Sequence, residues 1–277
     1  MSTDRRRLTG PSDVKTPLRG ISSGASTLPK KFSPPDSSPR KFFVKSGLTK
    51  NANGSAYLEA GTTIVEVGVY GPRPIRGSFI DRASFSVECK FLPYLTQPNE
   101  VIFNGSDKRN ARTSLTHIEH RISKYVETAF LPSICLEKYP KSAIDIYVNV
   151  IAFDAQTQTL SNLVAWVVNC TALALVDSAI EVKDLVTGGH ARMEHDGEVK
   201  MDAVVDSGDE TVEGTECVAS FMKMHENQMV AIWVESNGSL EVDEQGLEKL
   251  MNGCDTMATE VRKNLNGYLL SVANGNE

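Results

Sequence analysis

Between Leu160 and Ile180 the chain runs Leu-Ser-Asn-Leu-Val-Ala-Trp-Val-Val-Asn-Cys-Thr-Ala-Leu-Ala-Leu-Val-Asp-Ser-Ala-Ile, and no Lys or Arg occurs between Lys141 and Lys183. A helix that is apolar all round has to be enclosed by other elements or by lipid. Asn162, Asn169, Thr171 and Asp177 interrupt the run too often for a membrane span, so a fully buried helix is expected. Whatever this chain folds into must surround that helix.

The surrounding material is read from periodicity. Phe42 to Thr49, Ser55 to Glu59 and Thr62 to Tyr70 are predicted strands, joined by turns at Asn53-Gly54 and Ala60-Gly61. Ala83 to Phe91 alternates cleanly, with Phe85, Val87, Cys89 and Phe91 on one face. A helix starts at Thr116, where Thr116-x-x-Glu119 fits a capping box, and Leu115, Ile118, Ile122, Tyr125, Val126 and Ala129 form its stripe up to Pro132. Ala143 to Phe153 is a strand that precedes the buried helix. After it come a hairpin (191–194 and 199–205, tip Asp196-Gly197), two strands near 215–224 and 228–235, and a turn at Asn237-Gly238. An amphipathic helix from about Glu244 to Val272, with Asp243 as N-cap, closes the chain. This order describes an α+β fold in which helices pack on antiparallel-rich sheets, as one domain over 42–274.

Charge separates that domain from what precedes it. The net charge is −6, yet the first 50 residues hold 11 Lys/Arg against 3 Asp/Glu, leaving 18 against 32 for the remainder. Residues 1–41 are rich in Ser, Pro, Lys and Arg without apolar periodicity, and are read as a basic, largely disordered tail. Such a tail can reach for phosphate or an acidic neighbour, or simply keep the protein soluble. Ser33-Pro34 and Ser38-Pro39-Arg40-Lys41 have the form of proline-directed kinase sites. Asp4-Arg5-Arg6-Arg7 is followed by polar residues, so no secretory leader is expected. Five widely spaced cysteines without a Cys-x-x-Cys pair suit buried free thiols in a reducing compartment.

Motifs for nucleotide binding or acyl transfer are missing: there is no Gly-x-x-x-x-Gly-Lys-Ser/Thr or Gly-x-Gly-x-x-Gly, and no Gly-x-Ser-x-Gly elbow, since Gly20-Ile21-Ser22-Ser23-Gly24 falls in the polar tail and not at the end of a predicted strand. Gly188-Gly189 is predicted to lie in a loop. His117 and His120 share a helix face without further ligand spacing, which favours a solvated face over a metal site. Asp202, Asp206, Asp209, Glu210, Glu213 and Glu216 read as an acidic surface loop, with Mg²⁺ binding as the competing reading. The start of the buried helix, where an anion would naturally sit, is uncharged: Gln156, Thr157, Gln158, Ser161 and Asn162. Cations are expected elsewhere. Pro72 and Pro74 should stiffen a loop carrying Arg73 and Arg76 at the end of a core strand, and a polar connection carries Lys108, Arg109 and Arg112.

Three segments carry a family resemblance: Asn53-Gly54-Ser55-Ala56, Val69-Tyr70-Gly71-Pro72, and Tyr139-Pro140-Lys141-Ser142-Ala143-Ile144-Asp145-Ile146. Together with Leu173-Ala174-Leu175-Val176-Asp177 they resemble the RNase PH family from about Phe42 to the C-terminus. The resemblance implies the RNase PH-like fold, of βαβα, ribosomal-protein-like type. Asp4-Arg5-Arg6-Arg7-Leu8, Gly10-Pro11 and the run Tyr70 to Phe79 resemble, more narrowly, a eukaryotic exosome ring subunit. Active members phosphorolyse RNA from its 3′ end, using an arginine at the start of the central helix and two acids six positions apart. Here Val164 stands at the arginine's position, and Asp206 is followed six residues on by Val212, with Glu213 reached only by a register shift. The resemblance therefore implies a non-catalytic subunit needing no cofactor or metal, with an active phosphate-dependent exoribonuclease as the alternative. Its implied partners are other RNase PH-like exosome ring subunits, RNA-binding cap subunits, associated catalytic nucleases and single-stranded RNA threaded through the ring, in nucleus, nucleolus and cytoplasm. Arg73, Arg76, Lys108, Arg109 and Arg112 are the candidate RNA contacts.

Overall fold

The computed structural model describes residues 38–77, 79–95, 115–155, 157–194, 197–204, 214–237 and 243–275. Their elements are β1 (Phe42–Ser46), β2 (Gly54–Ala60), β3 (Thr63–Pro74), β4 (Ser84–Phe91), α1 (His117–Phe130), β5 (Ser142–Ala152), α2 (Leu160–Asp177), β6 (Thr187–Met193), β7 (Val199–Met201), β8 (Gly214–Met222), β9 (Gln228–Asn237) and α3 (Glu244–Ala273). They form an N-terminal sheet ordered β1-β2-β3-β5-β4 and a C-terminal sheet ordered β7-β6-β8-β9. All pairings are antiparallel except β4 with β5.

The apolar run folds as α2 and is enclosed as its composition requires. It packs on β2 and β3 of one sheet and on β6 and β8 of the other, while α1 lies beside it against β4 and β9. Leu163, Val164, Trp166, Val167 and Leu173 are fully buried there. α2 is long and apolar enough to cross a membrane, but 89% of that window is buried inside the protein. Its polar residues have internal work. Asn169 exchanges two hydrogen bonds with the Gly188 peptide (2.9 and 3.1 Å), pairing β6 where the short β7 does not reach. α1 begins at Thr116 in a complete capping box with Glu119. The second Glu119 oxygen and Ser123 accept from the β4 amides of Phe91 (2.9 Å) and Cys89 (2.8 Å), closing that sheet edge.

Gly188-Gly189 belongs to β6 and not to a loop. A Cβ on Gly188 would press on Ala165 of α2, and one on Gly189 would lie 1.9 Å from the Cys254 carbonyl oxygen of α3. The two glycines let helices approach the C-terminal sheet from both faces. Every residue of β6 and β8 is accordingly buried. In the N-terminal sheet α1 and α2 cover one face, burial alternates along β2, β3 and β5, and no described element covers the other face.

β3 also departs from expectation. It does not end at Gly71 but continues to Pro74 through an irregularity in which Tyr70 faces Asp145 and Arg73 faces Ala143. The bulge takes Pro72 out of the ladder, so its missing N–H is tolerated. Gly71 sits at φ +135 with its α-carbon against the Ala143 carbonyl, a backbone that disfavours side chains. The fold also starts before Phe42: Arg40, read as part of the tail, is buried. Of the cysteines, Cys89, Cys170, Cys217 and Cys254 are buried free thiols and Cys135 is half-buried. Burial pushes the Cys89 and Cys170 thiols up, keeping them protonated. The closing helix has Asp243 at its N-cap, with no side-chain capping bond. Asp196, Gly238 and residues 1–37 lie outside the described residues.

Candidate functional site

The start of α2 is uncharged in its own sequence, but the fold brings charge to it. Arg40, just ahead of β1, donates from Nε to Asp202 Oδ2 (2.8 Å) and from Nη2 to Asp202 Oδ1 (2.9 Å) and Asn162 Oδ1 (2.6 Å). Its backbone N–H donates to the same carboxylate (2.9 Å). Asn162 Nδ2 donates to Asp202 Oδ1 (2.8 Å), and Trp166 Nε1 approaches that oxygen at 3.3 Å. Asp202 is fully enclosed and the Arg40 side chain is 8% exposed. Asp202 and Glu216 therefore do not belong to a surface loop: both are buried. Carboxylates are found inside when a cation and several donors meet them.

Asn162 Nδ2 lies 3.3 Å from His190 Nδ1, and His190 Nε2 lies 3.6 Å from Glu216 Oε2. That separation is beyond hydrogen-bond range. Burial would raise the Glu216 carboxyl, but interaction with His190, Thr159 and Arg192 outweighs it and holds the group below the ordinary carboxylate range. Val164, at the position expected to hold a phosphate-binding arginine, is fully buried in the core. The nearby guanidinium of Arg40 is already paired with the Asp202 carboxylate and bonded to Asn162. This cluster is a structural clamp between the entry to β1, the end of β7 and the first turn of α2.

The predicted cations fare differently. Arg73 does not project from a loop: it lies in the β3 ladder and forms an ion pair with Asp145 of β5. Asp145 also accepts from Ser86 Oγ (2.6 Å), and its hydrogen bond and charge raise the Arg73 guanidinium further. Arg76, beyond the strand, is exposed, and no ion pair joins it to a described residue. Lys108, Arg109, Arg112, Gln156, Asp206, Asp209, Glu210, Val212 and Glu213 lie outside the described residues. Among the described residues no three His, Cys, Asp or Glu side chains converge on a metal-sized site. Sequence reasoning missed the Arg40–Asp202 clamp, because residues 162 positions apart carry no local signal of their pairing.

Comparison with known proteins places this geometry. Residues 38–181 match the model of the RNase PH group, described as the 3′ exoribonuclease family, domain 1. The exosome complex component MTR3 of Chaetomium thermophilum is 27% identical over 226 residues, 74% of this chain and 76% of that protein. The exosome complex component Rrp41 is 32% identical in Pyrococcus furiosus over 166 residues, 59% of each chain, and 30% identical in Nitrosopumilus maritimus over 148 residues, 53% of this chain and 55% of the relative. This chain thus spans only somewhat over half of those Rrp41 relatives. Rice (Oryza sativa) Rrp46 superposes with a TM-score of 0.68 at 18% identity, covering 86% of this chain and 98% of that one. An archaeal exosome core chain does so at 0.60 and 17%, covering 83% and 88%. The likeness in fold therefore extends through the C-terminal sheet, beyond the residues matched by the family model. With that match spanning more than half of its length and the expected α+β layers in place, the chain belongs to the RNase PH family.

Proposed function

We propose that this chain is a non-catalytic subunit of the RNA exosome core ring, supporting 3′-to-5′ RNA processing and degradation in nucleus, nucleolus and cytoplasm. It would do so as channel wall and subunit interface, with catalysis left to associated nucleases. The likeness to exosome components and to exosome core folds supports the ring assignment. The observation that carries the non-catalytic part is the start of α2. Val164 is sealed in the core, and the Arg40 guanidinium that reaches this helix end is paired with the Asp202 carboxylate and bonded to Asn162. Phosphorolysis needs a free cation to hold the attacking phosphate and offset developing charge, and loss of one such contact costs roughly 10²–10³ in rate.

RNA passing through such a ring is gripped by cations that touch phosphate without reading sequence. Arg76 suits that role, because its charge is free to face the channel, whereas Arg73 is engaged by Asp145. Lys108, Arg109 and Arg112 remain part of the proposal. The ring partners would be other RNase PH-like subunits, with RNA-binding cap subunits above them.

A phosphate-dependent RNA degradation assay on the full chain, with and without a co-expressed RNase PH-like partner, tests the reading. No release of nucleoside diphosphates above background is expected from the chain alone. Robust release that disappears in Asp206→Asn would establish the alternative, an active phosphate-dependent 3′-to-5′ exoribonuclease.

A further inference from the structure

The entry to β1 brings a kinase-type motif against the Arg40–Asp202 clamp. Ser38-Pro39-Arg40-Lys41 is a serine followed by proline, with a cation three residues on. The same pattern occurs at Thr16-Pro17-Leu18-Arg19, whereas Ser33-Pro34 has Asp36 in the last place. Sequence alone does not distinguish Ser38 from Thr16. The fold adds a condition at Ser38, because the third residue of its motif is built into the protein.

Arg40 is held on several sides. Its backbone N–H and its guanidinium donate to Asp202, Nη2 donates to Asn162, and the guanidinium carbon lies 5.8 Å from the Trp166 ring centroid. Two residues on, Phe42 pairs with Ala60 and packs on Trp166 at 5.2 Å between ring centroids. Ser38 and Pro39 are half-buried and Lys41 is exposed. A kinase has to lay the acceptor serine and the three residues after it along its own cleft. Those residues cannot enter a cleft while Arg40 is bound to the first turn of α2 and to Asp202 beyond β7.

We propose that Ser38 is a phosphorylation site gated by the Arg40–Asp202 clamp: it is modified when the clamp opens, and the phosphate then holds the clamp open. In the transfer, the Ser38 hydroxyl oxygen attacks the γ-phosphorus of a nucleoside triphosphate carried by a proline-directed kinase. The new O–P bond replaces the bond to the departing nucleoside diphosphate, and the hydroxyl proton passes to the catalytic carboxylate of the kinase. The product places a charge of about −1.5 to −2 within about 7 Å of chain from Arg40. Two anions, the phosphate and the enclosed Asp202, then compete for one guanidinium. The phosphate draws Arg40 toward water through paired hydrogen bonds, and Asp202 is left enclosed without its cation. The phosphorylated chain therefore closes less readily. This regulation does not depend on the ring assignment.

The test treats the purified full chain with a cyclin-dependent kinase and follows phosphate at each site by mass spectrometry, with Thr16 as internal reference. Asp202→Asn leaves the motif intact and weakens the clamp, so the Ser38 rate should rise at least tenfold while the Thr16 rate is unchanged. Thermal unfolding establishes that the variant is folded at the assay temperature, and Asn162→Ala takes its place if it is not. A chain carrying Thr16→Ala and Ser33→Ala, phosphorylated at Ser38 by prolonged reaction, should unfold at least about 5 °C below its unmodified form. With Arg40→Met added, the same phosphate should cause no further drop, because the clamp through which it acts is gone. Equal Ser38 rates in wild type and in the folded variant overturn the gate. Absence of phosphate from Ser38 in both chains overturns the site itself. An unchanged or raised unfolding temperature overturns the effect of the phosphate on the clamp.

Discussion

Among the described residues, β6 and β8 of the C-terminal sheet are covered on both faces and the N-terminal sheet on one, although both sheets pack against the same central helix. β6 and β8 are buried at every position, between α2 on one side and α3 on the other. β2, β3 and β5 bury alternate residues and turn Tyr57, Tyr70 and Tyr147 outward. A sheet enclosed on both sides spends its whole surface on its own stability and is intolerant of added atoms. A sheet enclosed on one side keeps a surface that can be changed without unfolding the chain, and that surface is available to a partner.

The largest expected loss comes from the clamp that joins the two sheets. Arg40→Met leaves Asp202 enclosed without its cation, and breaking such a pair costs about 3–5 kcal/mol. Urea denaturation of the isolated chain measures it, and the double variant Arg40→Met with Asp202→Leu should recover most of the loss. Next is Gly189→Ala in the closed sheet, where the new methyl would collide with the Cys254 carbonyl oxygen and force α3 away, at about 3 kcal/mol. Its counterpart on the open face, Tyr147→Ser, should cost no more than about 1 kcal/mol in the isolated chain. Equal losses at these two positions would erase the distinction between the sheets.

A milder probe is acid. The Glu216 carboxyl of β8 is held below its ordinary value, so it binds protons more weakly folded than unfolded. Its contribution is complete above the unfolded carboxylate range, near pH 4.3, and is lost as pH falls through the lower folded value. Glu216→Gln should remove that part of the acid limb, seen as a shallower loss of urea midpoint below about pH 4.3.

Much of this architecture was legible because its signals are local. The capping box at Thr116 and Glu119 lies within one helical turn, and the alternation of Phe85 to Phe91 within one strand. The misreadings came where a distant element decides the outcome. Gly188-Gly189 carries the composition of a loop, and only the helices at Ala165 and Cys254 explain why a buried strand needs glycines. Pro72 reads as a terminator, and only the bulge opposite Asp145 and Ala143 lets β3 pass it. Asp202 looked like one of several surface carboxylates until Arg40 met it from the other end of the chain. Of the candidate site, Arg76 emerges with its charge exposed, Arg73 with an acidic partner, and the stretch holding Lys108, Arg109 and Arg112 lies outside the described residues.

Hydroxyl-radical footprinting of side chains, read by mass spectrometry on the isolated chain, addresses the contrast between the sheets most directly. Phe43 and Tyr147 should be oxidised readily, while Trp166 and Phe221 stay protected. Protection of Phe43 and Tyr147 equal to that of Trp166 and Phe221 would mean that the two sheets are enclosed alike.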